Sequence, residues 1–329
     1  MLRGKDLILA TKKYAVEIRR ESWFHLGITL LLFVVTYTGA ILPSGPLVQL
    51  PFSILAGLMS VRFFIIYHDY LHKSILQDSL LARIIFTGFG LFILAPVSIW
   101  KRSHDYHHAH NSKLYTTSIG SYPVVTKKEF LAANRTERNI YLFIRHPLTI
   151  TFGYVFVFLW GMCLRTLIRS GLKKHVDCLF ALIFHFGLGF LIWYLFGFFS
   201  FILGFLLPAM ISNALGAYLF YAQHNFPGVI FRKKDEWSYT DAALLSSSFM
   251  HMNQFMHWCT GNIGYHHIHH LNARIPFYKL PQVYHDIPEL QKPRSTSLAP
   301  KDILACLRLK VWDPDTQKMV GMKEIMQKQ

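Results

Sequence analysis

Long stretches nearly empty of charge constrain this chain more than any other feature. Residues 23–42 hold no Asp, Glu, Lys or Arg, and residues 47–67 hold only Arg62. A helix rises about 1.5 Å per residue, so about 20 such residues cross a hydrocarbon core of about 30 Å. Pro43-Ser44-Gly45-Pro46 separates the two stretches and reads as a tight turn, making them a hairpin. Four further apolar stretches follow, at 80–100, 147–168, 178 to about 199, and about 201 to 222. The composition agrees: 52% of the 329 residues are hydrophobic and only 16% are charged, against about 25% in an ordinary soluble domain. The chain reads as an all-α integral membrane protein. The spans hold few charges, Arg62 being the clearest case, and the first has one interior histidine, His25.

Charge sets the sidedness. Arg3, Lys5, Lys12, Lys13, Arg19 and Arg20 precede the first span, with no apolar run of signal-peptide form, which places this segment in the cytoplasm. The first hairpin then returns the chain to the same side at His68. The whole chain carries 34 Lys and Arg against 18 Asp and Glu, formally +16. Such a balance suits anionic lipid, an acidic protein partner or nucleic acid, and the long apolar spans fit nucleic acid least. Cys163, Cys178, Cys259 and Cys306 are dispersed and form no CxxC, so neither a disulfide framework nor a thiolate zinc site is indicated.

Histidine is the over-used residue, with 18 copies, ten of them in three short segments. The first, His68-Asp69-Tyr70-Leu71-His72, puts two imidazoles one helical turn apart on one face. The second, His104-Asp105-Tyr106-His107-His108, is followed by His110, and the third is His266-His267-Ile268-His269-His270. Both contain H-x-x-H-H, which points three imidazoles to one side of a helix and suits metal binding. If the three segments share one site, an even number of crossings separates each pair. The 80–100 stretch then dips into the membrane or lies along it. The basic loop at 169–174 reads as cytoplasmic, which makes 147–168 non-spanning and 178–222 a second hairpin. In the rival arrangement that loop lies on the far side and 201–222 does not span. The expected architecture is one domain, 1–329, with four transmembrane helices at about 23–42, 47–67, 178–199 and 201–222. Cytoplasmic parts at 68–177 and 223–329 form a helical cap bearing the histidines, with interfacial segments at 80–100 and 147–168 and both termini inside.

Together with these boxes, the segments Lys101-Arg102-Ser103, Gln223-His224-Asn225-Phe226, Gly261-Asn262-Ile263-Gly264, Leu271-Asn272-Ala273-Arg274-Ile275-Pro276 and Trp312-Asp313-Pro314 resemble the membrane fatty acid desaturase family, most closely its bacterial acyl-lipid members. The resemblance runs from about residue 67 to about residue 322. It implies two iron ions held by His68, His72, His104, His107, His108, His266, His269 and His270, with His224 as the extra histidine after the last span. His110 and His267 fall at variable positions of the boxes. Some relatives carry, four residues before that extra histidine, an Asn that reaches metal through water; this chain has Phe220 there. The implied reaction is O₂-dependent formation of a cis double bond in a lipid-bound acyl chain in a bacterial inner membrane.

Neutral imidazoles suit ferrous iron, and their second N–H needs a carboxylate or carbonyl partner. Asp69, Asp105, Asp241 and Asn262 are the candidates, each equally readable as a cap or a surface group. Trp100, Tyr106, Trp258 and Tyr265 read as interfacial anchors, and Gly187, Gly189, Gly197, Gly204 and Gly216 as helix-packing positions. No GxGxxG after a strand, CxxC cluster or H-P-G-G element supplies electrons, so a separate ferredoxin, flavodoxin or cytochrome b5 is implied. Lys101, Arg102, Lys113, Lys127, Lys128, Arg135, Arg138, Arg232, Lys233 and Lys234 offer it a basic surface that serves anionic lipid equally well. Two alternatives use the same residues: a carotenoid ketolase or hydroxylase, which inserts oxygen, and a non-catalytic metal transporter, which the scarcity of charge inside the spans disfavours.

Overall fold

A computed structural model describes residues 2–114, 122–171 and 173–326. A short amphipathic helix, α1 (Gly4–Thr11), precedes the first long pair, α2 (Arg19–Ile41) and α3 (Pro46–Leu71). Gly45 turns the chain at φ 96°, and Pro46 starts α3, where a missing N–H costs nothing. The pair is tight enough that a methyl group on Gly39 would lie 2.5 Å from the Phe52 ring. Both helices are long and apolar enough to cross a membrane. α3 continues past residue 67 to Leu71, so His68 and Asp69 ride on its last turn, with His72 just beyond.

The 80–100 stretch forms α4 (Leu80–Phe92) and α5 (Val97–His110), bent by 89° at the break. His72 before the pair and His104 after it meet in one cluster, so the pair leaves from and returns to the same end of α3. A helix ending among apolar neighbours leaves carbonyls that need donors. The Tyr67 hydroxyl donates to the Ala95 carbonyl at 2.9 Å, and His185 Nδ1 lies 2.6 Å from the Phe92 carbonyl, with Leu94 in the left-handed region at φ 59°.

Next come α6 (Lys127–Ala132) and α7 (Arg135–Ile144), each opened by a capping box, Thr126 with Glu129 and Asn134 with Glu137. The 147–168 stretch is broken into α8 (Pro147–Thr151), a π-helical piece (Tyr154–Leu164) and α9 (Arg165–Ser170). It packs on the last long helix, where a methyl on Gly153 would lie 2.7 Å from Ala217 Cβ.

From Val176 to Ala222 the chain is predominantly apolar: α10 (Val176–Phe201), a π-helical turn (Ile202–Leu206) and α11 (Leu207–Ala222). Gly197, at φ 88° and ψ 176°, reverses its direction. The Phe205 ring lies against Gly189 and 4.7 Å from the His185 ring, as two antiparallel legs require. The first leg turns Phe186, Phe190, Trp193 and Tyr194 outward, the pattern of a helix facing lipid. α11 packs on α3, Gly57 admitting Ile211. The described structure is mostly helical, with long apolar helices and no barrel.

The remaining chain forms shorter helices, α12 (Tyr239–Ser246), α13 (Gln254–Cys259), α14 (His266–Leu271), α15 (Leu280–Asp286) and α16 (Pro300–Arg308). Two small sheets tie it together. β1 (Phe249–His251) pairs in parallel with β2 (Ser295–Ser297), and β3 (Leu309–Asp313) pairs antiparallel with β4 (Lys318–Gly321). Phe231 and Trp312 pack together beneath the second sheet, their ring centres 5.6 Å apart.

Candidate metal centre

The three boxes and His224 converge where α3, α5, α11 and α14 end. Each segment is helical or begins just after a helix, so its i, i+3 and i+4 side chains share a face, and these faces meet. Two groups result. His68, His72, His104, His108 and His269 form one; His107, His224, His266 and His270 form the other; within each group, one nitrogen per ring lies within 4.8 Å of every other. Both H-x-x-H-H boxes contribute to both groups.

The spacing inside each group fits a shared cation. Nε2 atoms of His68 and His104 are 2.8 Å apart, those of His68 and His72 3.2 Å, and those of His108 and His269 3.1 Å. In the second group His107 and His224 are 3.0 Å apart, His224 and His266 2.9 Å, and His266 and His270 3.1 Å. Two imidazole nitrogens at about 2.1 Å from one ion, at right angles, stand about 3 Å apart. A closed ring of hydrogen bonds cannot explain so many contacts, because a neutral imidazole has one proton and two nitrogens. Desolvation by burial holds His224 down at about 4, and it holds His266, His269 and His270 well below the ordinary histidine range. They are neutral at physiological pH, with lone pairs available.

The opposite nitrogens differ in their partners. His68 Nδ1 faces Asp69 Oδ1 at 3.2 Å, and Asp69 Oδ2 accepts the Phe277 N–H at 2.7 Å. Asp69 thus orients a box-one histidine while tying α3 to the segment after box three. His224 Nδ1 faces the Ser246 carbonyl at 3.0 Å. His267, the one box-three histidine outside both groups, turns to the Leu290 carbonyl at 3.1 Å. His110 likewise lies outside them, 2.9 Å from the Tyr106 carbonyl. The Nδ1 atoms of His108 and His266 are buried without a partner among the described residues.

The other three partner candidates lie elsewhere. Asp105 is one residue round α5 from His104 and faces outward, paired with Lys101. Asp241 is exposed at the start of α12, its N–H received by the Ser238 hydroxyl. Asn262 adopts φ 57° and donates to the Phe277 carbonyl at 3.2 Å. What the sequence did not disclose is the role of backbone: the Phe277 N–H and the Ser246 carbonyl carry no side-chain signal. It also did not disclose Arg145, buried outright, which donates to the Pro123 carbonyl at 2.9 Å and to Asn225 beside His224.

An apolar cavity lined by Val61, Phe64, Ile65, Phe158 and Leu219 reaches His68, His104 and His266. A more polar cavity, walled by Asn111, Arg145 and Asn225, reaches His107 and His224. A third, lined by Val157, Met162 and Trp100, ends on His104. Phe220 is in the wall of all three. Its ring is centred 4.7 Å from His107 and 6.4 Å from His104.

Comparison with known proteins agrees with this arrangement. The family model described as Fatty acid desaturase matches residues 44–299. A Bacillus subtilis fatty acid desaturase is 33% identical over 282 residues, covering 85% of this chain and 79% of that protein. The sn-1 oleoyl-lipid 12-desaturase of Anabaena variabilis is 24% identical over 302 residues, covering 88% of this chain and 82% of its own length. A chloroplastic omega-6 fatty acid desaturase of Arabidopsis thaliana is 25% identical over 268 residues, covering 79% of this chain but 58% of the plant protein. With that extent of match, and with every box it contains gathered into histidine groups able to hold metal, the chain is an enzyme acting on fatty acids and belongs to the fatty acid desaturase family.

Proposed function

We propose that this chain introduces a cis double bond into the acyl chain of a membrane lipid, with two iron ions, O₂ and electrons from a separate donor. The observation that carries the reading is the apolar cavity whose wall includes His68, His104 and His266, because it offers a methylene chain a path to the metal ligands. His68, His72, His104, His108 and His269 would hold one iron, and His107, His224, His266 and His270 the other. When bound, the iron pair supplies the oxidising power, drawn from O₂, that removal of two hydrogens from unactivated methylenes requires.

The protein's own part is to place and to exclude. Phe64, Ile65, Phe158 and Leu219 surround an acyl chain with side chains that neither hydrogen-bond nor react, which keeps water from the oxidising centre. Phe220 presses on the histidines and fixes which stretch of the chain lies beside them. Asp69 holds the His68 ring in one tautomer and one orientation, leaving Nε2 for metal.

The topology that goes with this reading has four crossings, α2, α3 and the two legs of the Val176–Ala222 hairpin, with α4 and α5 re-entrant. Arg19 and Arg20 at the start of α2 and the exposed Arg169, Lys173 and Lys174 before α10 support a reading with the histidines on the cytoplasmic side of a bacterial inner membrane. An electron donor docks on the cytoplasmic cap, where Arg102, Lys128, Arg135, Lys233 and Lys234 are exposed.

The test is expression in a bacterial host without a desaturase of its own but with a working ferredoxin system, followed by mass spectrometry of fatty acid methyl esters. A product lighter by two hydrogens, absent with His107→Ala, is expected. Unchanged fatty acids, or products that gain oxygen, would defeat the proposal.

A further inference from the structure

Arg62 of the second long helix and His25 of the first lie against each other inside the first hairpin. Arg62 is 1% exposed. Its Nε donates to Thr29 Oγ1 at 2.9 Å, Nη1 donates to the Trp258 carbonyl, and Nη2 lies 3.4 Å from His25 Nδ1. The Trp258 ring covers one face of the guanidinium at 4.0 Å from its centre. None of these partners is a carboxylate, and no carboxylate lies within ion-pair distance of Arg62 among the described residues. A guanidinium has five N–H donors, so two remain, one on each Nη. A buried cation without an anion is costly, and this one borders an open cavity rather than a packed wall.

That cavity is lined among others by Arg62, His25, His257, Gln254, Trp258 and Asn262. His257 Nδ1 in its wall is buried without a partner among the described residues. The site thus gathers a guanidinium and two imidazoles around a space with no acidic lining residue. Its position fixes the source of the missing anion. It lies where α2 and α3 meet α13, at the end of the hairpin that carries Arg19 and Arg20. Phe24 beside His25 and Phe255 beside Gln254 stand exposed, at 67% and 52%, and Trp and Tyr at a polar edge mark headgroup depth.

We propose that this cavity binds the phosphate of a membrane phospholipid whose tails lie along the exposed apolar face of α2. The phosphodiester oxygens receive the free Nη hydrogens of Arg62, with His257 and Gln254 as further donors. The site is built from residues outside both histidine groups, so it stands independently of the reaction proposed above.

The full chain, stripped of lipid in an uncharged detergent, is titrated by native mass spectrometry with phosphatidylglycerol, with diacylglycerol of the same tails, and with inorganic phosphate. One phosphatidylglycerol is expected to bind, and diacylglycerol and inorganic phosphate are expected to bind at least about tenfold more weakly, each lacking half of the ligand. Arg62→Gln should weaken phosphatidylglycerol at least about tenfold, and His257→Leu about fivefold, with iron content unchanged in His257→Leu. Binding of diacylglycerol as strong as of phosphatidylglycerol would overturn the proposal, since the phosphate would then contribute nothing. Inorganic phosphate binding as tightly as the lipid would overturn the membrane source of the anion. Should Arg62→Gln fail to fold, full affinity in His257→Leu would be the overturning result.

Discussion

The two histidine groups are built by different means. The five-membered group takes two pairs from single helices, His68 with His72 and His104 with His108, and only His269 comes from elsewhere. The four-membered group takes His107 from α5, His224 from just past the second hairpin, and only His266 and His270 from a common helix. Local helix geometry makes most of the first group, and tertiary packing makes most of the second. The partners of the opposite nitrogens differ as well, a carboxylate at His68 and a backbone carbonyl at His224. Losing one imidazole leaves the five-membered group with four nitrogens but the four-membered group with only three.

Loss of a ligand should therefore hurt the second group most. His224→Ala leaves three imidazoles there and also vacates the contact to Ser246. Iron should fall from about two ions to about one per chain, and desaturation should drop at least ~100-fold, beyond the range seen when only a ligand's outer partner is lost. Elemental analysis of the purified chain beside an in-cell fatty acid assay measures both. Retention of both ions in His224→Ala would place this histidine outside the ligand set and erase the asymmetry.

Asp69→Asn probes the first group through its partner. An amide at this position presents Oδ1 to His68 or to the Phe277 N–H, but not to both, and its NH₂ then faces a donor. Iron affinity at the five-membered group should fall ~10–100-fold, read as the chelator concentration that removes half the iron, with little change at the other group. His72→Ala should do less. Four imidazoles remain, both ions should stay bound, and activity should fall no more than about tenfold, the lower edge of outer-partner effects. An effect of His72→Ala equal to that of His224→Ala would show that five nitrogens are needed and none is spare.

The same contrast explains what was readable in advance. The boxes were visible because a helix repeats every 3.6 residues, so H-x-x-H-H and H-x-x-x-H declare a shared face without any knowledge of the fold. The long apolar helices were visible because the bilayer demands length and the absence of charge, and Gly197 bends the last of these apolar stretches. The outer partners were not visible, because nearness in sequence does not select a direction. Asp69 and Asp105 both follow a box histidine by one residue, yet one turns back to its neighbour and the other pairs outward with Lys101. The pairing of Phe249 with Ser295 and the burial of Arg145 depend on segments far apart in the chain, and periodicity does not encode them.

The smallest expected effect in rate, and the most specific, belongs to Phe220. It touches histidines of both groups, His104 in the first and His107 and His224 in the second, and it walls the three cavities that end there. Its substitution removes no imidazole from either group. Shifting an acyl chain by one methylene in an apolar slot changes its fit by about 1–3 kcal/mol, or about 10–200-fold in selectivity. Phe220→Ala opens the cavities to one another and removes the surface against which that fit is measured. Iron content should stay at that of the parent chain, and a single double-bond position should give way to a mixture in which a second position reaches about a tenth of the product or more. Derivatised methyl esters locate both bonds by mass spectrometry. One unchanged position at a reduced rate would instead mean that Phe220 supports the histidines without steering the chain, and that the walls farther from the metal set the register.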